Sequence, residues 1–168
     1  MGIMEEKILN KSCCRNNFSK NTQINNLCPV CGKEGVIVKN FTIRHILIED
    51  LLEQIGDEDY YLCMNEDCEV AYYNNKKGIR FNKHQLRVPL WFKKNANPKY
   101  ACYCSKVTED EIIKAVVDYG ATTMEEVINL TGAMSNSDCQ KKNPLGKCCH
   151  KIVQDAIDKG LNIRSRLA

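Results

Sequence analysis

Cysteine is the residue type whose number and spacing in this chain most clearly indicate chemistry. The 168 residues include 11 cysteines, most of them in close pairs along the whole length. The opening segment, MGIMEEKILNKSCC, has no apolar core that would predict a secretory signal, so we expect a cytoplasmic protein with reduced thiols. An odd number of thiols in a reducing compartment fits metal ligands better than a disulfide framework.

The first group of paired cysteines predicts a structural zinc site. The segment CPVCG places Cys28 and Cys31 on a C-x-x-C turn that directs both sulfurs to one ion, and CMNEDC supplies Cys63 and Cys68. Four thiolates in a closed tetrahedron are typical of structural zinc. A rubredoxin-like iron site and four unliganded thiols are the alternatives that this spacing leaves open.

The second group of cysteines lies in the C-terminal half and has a different spacing. Cys102 and Cys104 form a C-x-C ahead of two predicted helices, and Cys139 precedes the adjacent pair Cys148 and Cys149. Four thiolates on two loops, brought together by a helical hairpin, match the ligands of a [2Fe–2S] cluster. A helix N-terminus beside them would favour an anionic cluster. A second zinc ion and a set of structural thiols are the alternatives.

Two kinds of secondary structure must position these cysteines. Residues 27–95 are rich in β-branched and aromatic residues, with one helix predicted in HILIEDLLEQIG between the strand-like runs GVIVKNFTI and EVAYYN. Residues 99–168 are predicted to be helical, because TEDE and TMEE are capping boxes and a third helix follows from about Cys148 to Lys159. We therefore predict an α+β fold, in which a zinc ribbon-like β module precedes a small helical module that binds [2Fe–2S].

Two segments outside these modules are polar. Residues 1–26 are rich in Asn and Lys and predict a flexible tail, and residues 93–99, KKNANPK, predict a linker. The tail carries Cys13 and Cys14, and vicinal thiols of this kind suit the soft ion Cu(I). A pair of exposed thiols with no fixed role is the alternative.

Net charge and hydropathy argue against nucleic acids and membranes as partners. The net charge of +3 is too small to indicate a nucleic-acid binder, and no apolar run is long enough to cross a bilayer. From Lys141 onward, seven basic residues face two acidic ones. This excess predicts either a solvated helix face or a docking patch for an acidic partner.

The residues from Cys102 to about Ile157 resemble the [2Fe–2S] domain of the bacterioferritin-associated ferredoxin type, through VTEDEIIKAV, GATTMEEV and GKC. Together with CPVCG and YYLCMNEDCEVAYYN, residues 27–160 resemble the N-terminal domain of CopZ-type copper chaperones. The resemblance implies one zinc ion and one [2Fe–2S] cluster. Aligning GKC selects Cys148 as the fourth cluster ligand, and the adjacent Cys149 is the alternate.

The function that we expect is one-electron transfer, and the resemblance implies reduction of Cu(II) to Cu(I). The expected partners are a flavoprotein or other reductase and a separate copper carrier or exporter, because no segment here matches the copper-carrying domain of CopZ-type chaperones. The alternatives are a metal-stabilised adaptor or redox or iron sensor, and Cu(I) binding through Cys13, Cys14 and Cys149. An enzyme with its own substrate is not predicted, since no Ser/His/Asp set or P-loop appears.

Overall fold

The computed structural model describes residues 26–136 and 138–167, in which an antiparallel sheet is followed by a group of helices. This arrangement confirms the predicted α+β class. Cys13, Cys14 and the rest of segment 1–25 lie outside the described residues. Asn26, which the sequence assigned to the tail, is buried, and its carbonyl accepts a hydrogen bond from the Gly35 amide at 2.8 Å.

A four-stranded antiparallel sheet in the order β1-β2-β3-β4 forms the N-terminal half. Its strands are β1 (Val36–Val38), β2 (Tyr60–Leu62), β3 (Val70–Asn74) and β4 (Ile79–Asn82). β3 lies between two neighbours and is buried at every position. Its run of Val, Ala and Tyr suits such a central strand, and the strand predicted in EVAYYN is confirmed.

The helix between β1 and β2 differs from the prediction. Helix α1 spans Asn40–Ile46, so NFTI is helical rather than extended, and a 3-10 helix follows at Glu49–Gln54. The Asp59 carboxylate accepts the Asn40 amide at 2.8 Å and so satisfies a free N–H at the start of α1. Leu47 is extended and fully buried, and it bridges Leu86. This pairing with a distant segment interrupts the continuous helix that the apolar spacing predicted.

The C-terminal half begins with a short hairpin, β5 (Tyr100–Cys102) and β6 (Val107–Thr108). Four helices follow: α2 (Glu109–Val117), α3 (Met124–Thr131), α4 (Cys139–Lys142) and α5 (His150–Leu167). The capping box at the start of α2 is confirmed, because Thr108 Oγ1 accepts the Glu111 amide at 3.2 Å and Glu111 accepts the Thr108 amide at 2.8 Å. α5 extends eight residues beyond the predicted end at Lys159.

Each half has its own apolar core. The sheet packs against α1 through residues such as Ile43, Tyr72 and Phe81, and α2 packs against α5 through Val116 and Ile157. Gly160 permits this close helix contact, because a Cβ there would lie 2.9 Å from the Cβ of Val116. Within the described ranges, no helix is both long and apolar enough to cross a lipid bilayer.

Candidate metal centres

Four cysteine thiols meet at one end of the sheet. The Sγ atoms of Cys28, Cys31, Cys63 and Cys68 all lie within 4.8 Å of one another. The Cys28 and Cys68 sulfurs are 3.8 Å apart, and those of Cys31 and Cys63 are 3.6 Å apart. A zinc ion with Zn–S bonds of about 2.3 Å holds its tetrahedral sulfurs about 3.8 Å apart. The four side chains therefore fit one tetrahedral ion, as the spacing predicts.

Backbone hydrogen bonds position the two cysteine pairs of this zinc site. In the first, the Cys28 amide donates to the Lys33 carbonyl at 2.8 Å, and Gly32 has a φ of +75°, which a side chain would disfavour. In the second, Cys63 directly follows β2 and its amide donates to the Ala71 carbonyl of β3 at 2.8 Å. The sheet thus fixes Cys63 opposite the C-x-x-C turn.

The thiols of this site differ in their affinity for protons. Burial raises the pKa of the Cys31 thiol, but hydrogen bonds from the Lys33 backbone and the Asn65 side chain outweigh burial and lower the pKa to about 6. Burial raises the pKa of Cys63 and of Cys68. Since metal ligation requires thiolates, Cys31 loses its proton before Cys63 and Cys68.

Lys93 is a buried charge beside the zinc thiols that the sequence did not identify. It belongs to the segment predicted as a linker, but the residue is only 4% exposed. Its Nζ donates to the carbonyls of Asn65 and Val70 at 2.8 and 2.9 Å, on either side of Cys68. Burial lowers the pKa of Lys93, and the negative charge of the four cysteines opposes that effect. A buried ammonium in this position compensates a tetrathiolate site.

The C-terminal cysteines form two pairs. The Cys104 and Cys139 sulfurs are 3.5 Å apart. Cys102 and Cys149 are buried in the same helical core, and the Cys149 thiol lowers the pKa of Cys102. The zinc thiols are the one group of three or more, within the described part of the chain, whose sulfurs are all within 4.8 Å. Two separate pairs suit two irons better than a second single ion, because each iron of a [2Fe–2S] cluster takes two thiolates.

Backbone amides point at two of these sulfurs. The Met134 amide donates to Cys102 Sγ at 3.3 Å, and the Asp138 amide donates to Cys104 Sγ at 3.4 Å. Cys102 is fully buried and Cys104 is 6% exposed. Hydrogen bonds from N–H donors to the thiolate sulfurs, and burial of those sulfurs, are features by which a protein sets the reduction potential of an iron–sulfur cluster. The site therefore fits an anionic cluster in its donors as well as in its thiols.

Cys149, and not Cys148, lies beside the other cluster cysteines. Cys149 is 2% exposed and packs in the helical core next to Cys102, whereas the Cys148 side chain is exposed. The hydrogen bond from Cys149 lowers the pKa of Cys102 to about 5, against the effect of burial, and raises that of Cys149. The geometry thus favours the alternate ligand over Cys148, which the GKC alignment selected. Ligation by either residue stays a prediction.

The segment between these cysteines, residues 139–149, is called the cluster loop here, and it rests on the zinc module. The Tyr72 hydroxyl on β3 donates to the Pro144 carbonyl, and burial raises the pKa of Tyr72, so the hydroxyl keeps its proton. Leu145 packs against the sheet core, and Gly146 meets the Thr42 side chain of α1. The cluster loop is therefore positioned by the other half of the protein.

A second contact between the halves lies inside the C-x-C turn. Tyr103 stands between Cys102 and Cys104, and its hydroxyl donates to the Pro89 carbonyl at 2.6 Å while accepting the Trp91 amide at 3.0 Å. The sequence offers one signal for Tyr103, which is its position between two predicted ligands. Nothing in the spacing indicated that Tyr72 contacts the cluster loop or that Lys93 binds carbonyls near Cys68. Both contacts join segments that are distant in the sequence.

Comparison with known proteins finds family matches in two stretches of the chain. Residues 25–87 match a family described as a zinc binding domain of CopZ type, and residues 100–159 match the BFD-like [2Fe-2S] binding domain. A solved structure, the X-ray structure of the Archaeoglobus fulgidus CopZ N-terminal domain, superposes with a TM-score of 0.66 at 33% identity, over 77% of this chain and 95% of that one. This chain belongs to the CopZ N-terminal domain family.

The copper chaperone CopZ of Archaeoglobus fulgidus is 36% identical to this chain over 123 residues. The match covers 73% of this chain and 57% of that protein, so the chain spans little more than half the length of this relative. These comparisons confirm the predicted family. A CopZ-like, metal-binding protein with an iron–sulfur binding domain follows directly from them.

Replacing Lys93 by Met should weaken retention of zinc. The substitution keeps most of the buried volume but removes the charge and both hydrogen bonds, and loss of a charged hydrogen bond costs about 1.5–3 kcal/mol. We expect zinc release to a chromophoric chelator to become about tenfold faster or more. Lys93→Arg keeps the charge and should restore much of the retention, whereas Lys76→Met, at an exposed lysine in the turn after β3, should leave release unchanged. Equal release from Lys93→Met and wild type would contradict this role.

Replacing Gly146 by Ala should loosen the cluster loop. The new Cβ would overlap the Thr42 side chain, and overpacking of this kind costs about 1–3 kcal/mol. We expect the visible absorption of the cluster to decay about tenfold faster in a chelator. Gly78→Ala is the matched control, because Gly78 has a similar positive φ of +64° with no neighbour within 4 Å of the added Cβ. If both variants lose the cluster equally fast, backbone strain and not the Thr42 contact is responsible.

Proposed function

We propose that this protein binds one zinc ion and one [2Fe–2S] cluster, and that it transfers single electrons in copper handling in the cytoplasm. The observation that carries the proposal is the pairing of four thiols, Cys102 with Cys149 and Cys104 with Cys139, beside backbone N–H donors. A bound [2Fe–2S] cluster supplies one-electron redox chemistry at this place. The zinc site has four thiols and no open position, which suits a structural role.

The residues of this chain set the conditions for that electron transfer. Burial of Cys102 and Cys149 excludes water from one side of the site, and the amides of Met134 and Asp138 stabilise negative charge on the sulfurs. In the proposed step one electron passes to Cu(II), which becomes Cu(I). A reductase of the flavoprotein class then returns one electron, so that the electrons balance. The choice of copper as the acceptor is supported by similarity to a relative that is named a copper chaperone.

The experiment that tests this function starts from protein purified without oxygen. We expect two irons, two acid-labile sulfides and one zinc per chain, and an S = 1/2 EPR signal after reduction with dithionite. Adding Cu(II) with a Cu(I)-specific chelator should then produce one Cu(I) per reduced cluster. Two zinc ions and no iron would disprove the redox function. A cluster that is reduced but does not convert copper would retain electron transfer and exclude copper as the acceptor.

A metal-stabilised adaptor or sensor is a second candidate, and one observation favours it. The cluster loop rests on the zinc module through Tyr72 and Leu145, so loss of the cluster would disturb the surface shared by the two halves. Partner affinity that changes with cluster occupancy, without electron exchange to a flavoprotein or to copper, would support this function over electron transfer.

Serine substitution of the adjacent cysteines should distinguish the fourth ligand. Cys149→Ser should abolish the [2Fe–2S] absorption or shift it strongly, because its buried thiol lies beside Cys102. Cys148→Ser should leave iron content and the EPR spectrum unchanged, since this side chain is exposed. The zinc content of both variants is the control for folding of the sheet half. The opposite outcome would restore Cys148 as the ligand that the alignment selected.

Charge reversal on the cluster loop should lower the midpoint potential. Lys141, Lys142 and Lys147 are exposed beside the predicted ligands, and their positive charge favours the more negative, reduced cluster. We expect the triple Lys→Glu variant to have a potential lower by an amount on the order of tens of millivolts, because exposed charges are screened by water and salt. Redox titration at low and high salt measures it. An unchanged potential at low salt would show that these charges do not act on the cluster.

A further inference from the structure

A groove runs between the two halves of the protein, next to the cluster loop. It has a volume of about 310 Å³. Its lining comes mainly from β1, α1 and the cluster loop, and includes Ile37, Phe41, Thr42, Gln140, Leu145 and Lys147. Neither half forms this groove alone. Because it depends on how the cluster loop rests on α1, its shape is tied to the contact between Gly146 and Thr42.

Two large apolar side chains on one wall of this groove are open to solvent. Ile37 is 51% exposed and Phe41 is 46% exposed, although both lie within a half that has an apolar core of its own. The opposite wall belongs to the cluster loop: Gln140 follows the predicted ligand Cys139, and Lys147 precedes the pair of Cys148 and Cys149. A molecule that sits in the groove therefore lies beside the proposed redox centre.

The two charged side chains that line the groove, Lys39 and Lys147, are positive, and the carboxylates of Asp57, Glu58 and Asp59 lie beyond Ile37 at its β1 end. Lys147 lines it, and Lys141 and Lys142 are exposed on the same helix as Gln140. None of these three lysines makes an ion pair with any residue that the structure describes. Lys39 is paired with Asp59 at 3.4 Å, but that pair is on the surface and weak.

We propose that this groove is the docking site for an acidic segment of the protein that exchanges electrons with the cluster. One large apolar side chain of the partner would enter between Phe41 and Leu145, and flanking carboxylates would pair with the lysines of the cluster loop. The inference rests on the proposed electron transfer, which requires a partner close to the cluster. It goes further because it names the surface and the chemistry of the partner.

The observations favour a protein segment over a lipid surface or a nucleic acid. A bounded groove with apolar walls accepts an apolar side chain, the kind of anchor that dominates protein interfaces. Nucleic-acid binding is carried mainly by many phosphate contacts, and here the whole chain has a net charge of only +3. The lysines flank the groove on one side only, as expected for steering an acidic partner into it.

The test measures binding of a short fluorescein-labelled peptide to the zinc- and iron-loaded protein by fluorescence anisotropy. The peptide has one Phe flanked by Asp and Glu, and two control peptides replace the Phe by Ser or the acids by Asn and Gln. We expect the acidic Phe peptide to bind more tightly than both controls, with an affinity that falls as salt rises. Phe41→Ser and the triple Lys→Glu variant should each weaken binding about tenfold.

A second groove supplies the matched control. It lies between α2 and α3, has a volume of about 390 Å³, and includes the exposed side chain of Tyr119 and the side chain of Lys114. Tyr119→Ser and Lys114→Glu remove an exposed aromatic ring and a positive charge there. Both should leave peptide binding unchanged. Iron content, zinc content and thermal unfolding of every variant show whether its fold is retained.

The outcomes separate this inference from the proposed function. Peptide binding that needs Phe41 and the lysines, but not Tyr119 or Lys114, supports the docking groove. Binding that depends on the lysines alone, or that is equalled by phosphatidylserine vesicles or duplex DNA, overturns it. A protein that carries a reducible cluster but does not bind the peptide also overturns it, while the function stands. A protein without iron removes the function whatever the peptide does.

Discussion

The buried hydrogen bond from Tyr72 to the Pro144 carbonyl is the contact on which the relation between the two halves depends. The donor lies on the central strand of the sheet, and the acceptor lies midway between two predicted cluster ligands. Both atoms are removed from water, so breaking the bond would leave a buried polar group unpaired. The contacts of Leu145 with the sheet core and of Gly146 with Thr42 follow from the same placement of the loop.

This placement of the cluster loop accounts for the long separation of Cys139 and Cys149 in the sequence. A short C-x-x-C turn would keep Cys139 and Cys149 together but could not reach the sheet. The longer cluster loop extends to β3 and α1 and then returns to the start of α5, where Cys149 is buried. The residues between Cys139 and Cys149 therefore build an interface between the halves, and the groove lined by Phe41 and Lys147 is part of its surface.

The negative charge of the thiolates accounts for where the compensating positive groups lie. Four thiolates leave a zinc ion with a net negative charge, and in the sheet half a single buried ammonium, Lys93, lies close to them and also holds two carbonyls of the zinc loop. In the helical half the compensation is different: amides of Met134 and Asp138 reach the sulfurs, and the lysines stay in water. The two halves thus compensate thiolate charge by different means, a buried ammonium in one and backbone dipoles with solvated charges in the other.

The sequence predicted the parts of this protein that depend on local chemistry. Ligand spacing identified the pairs Cys28/Cys31 and Cys63/Cys68, and the capping box at Thr108 located α2, because each of these signals lies within a few residues. It did not predict the break at Leu47, which arises from pairing with Leu86, or the burial of Lys93 within an apparent linker. Through the GKC alignment it selected Cys148, whereas the structure buries Cys149 and exposes Cys148. Adjacent residues at the start of a helix point in different directions, so which thiol turns inward is set by how α5 packs on α2.

The two metal centres are joined through β3, and this has a thermodynamic consequence. Tyr73 packs against the zinc thiols, and its neighbour Tyr72 holds the cluster loop. If ordering of β3 by zinc stabilises the bound cluster by a certain free energy, the cluster must stabilise bound zinc by the same amount, because coupling between two sites is reciprocal. A site with no open position can therefore contribute to binding at the second metal centre, because it orders the strand that positions the cluster loop.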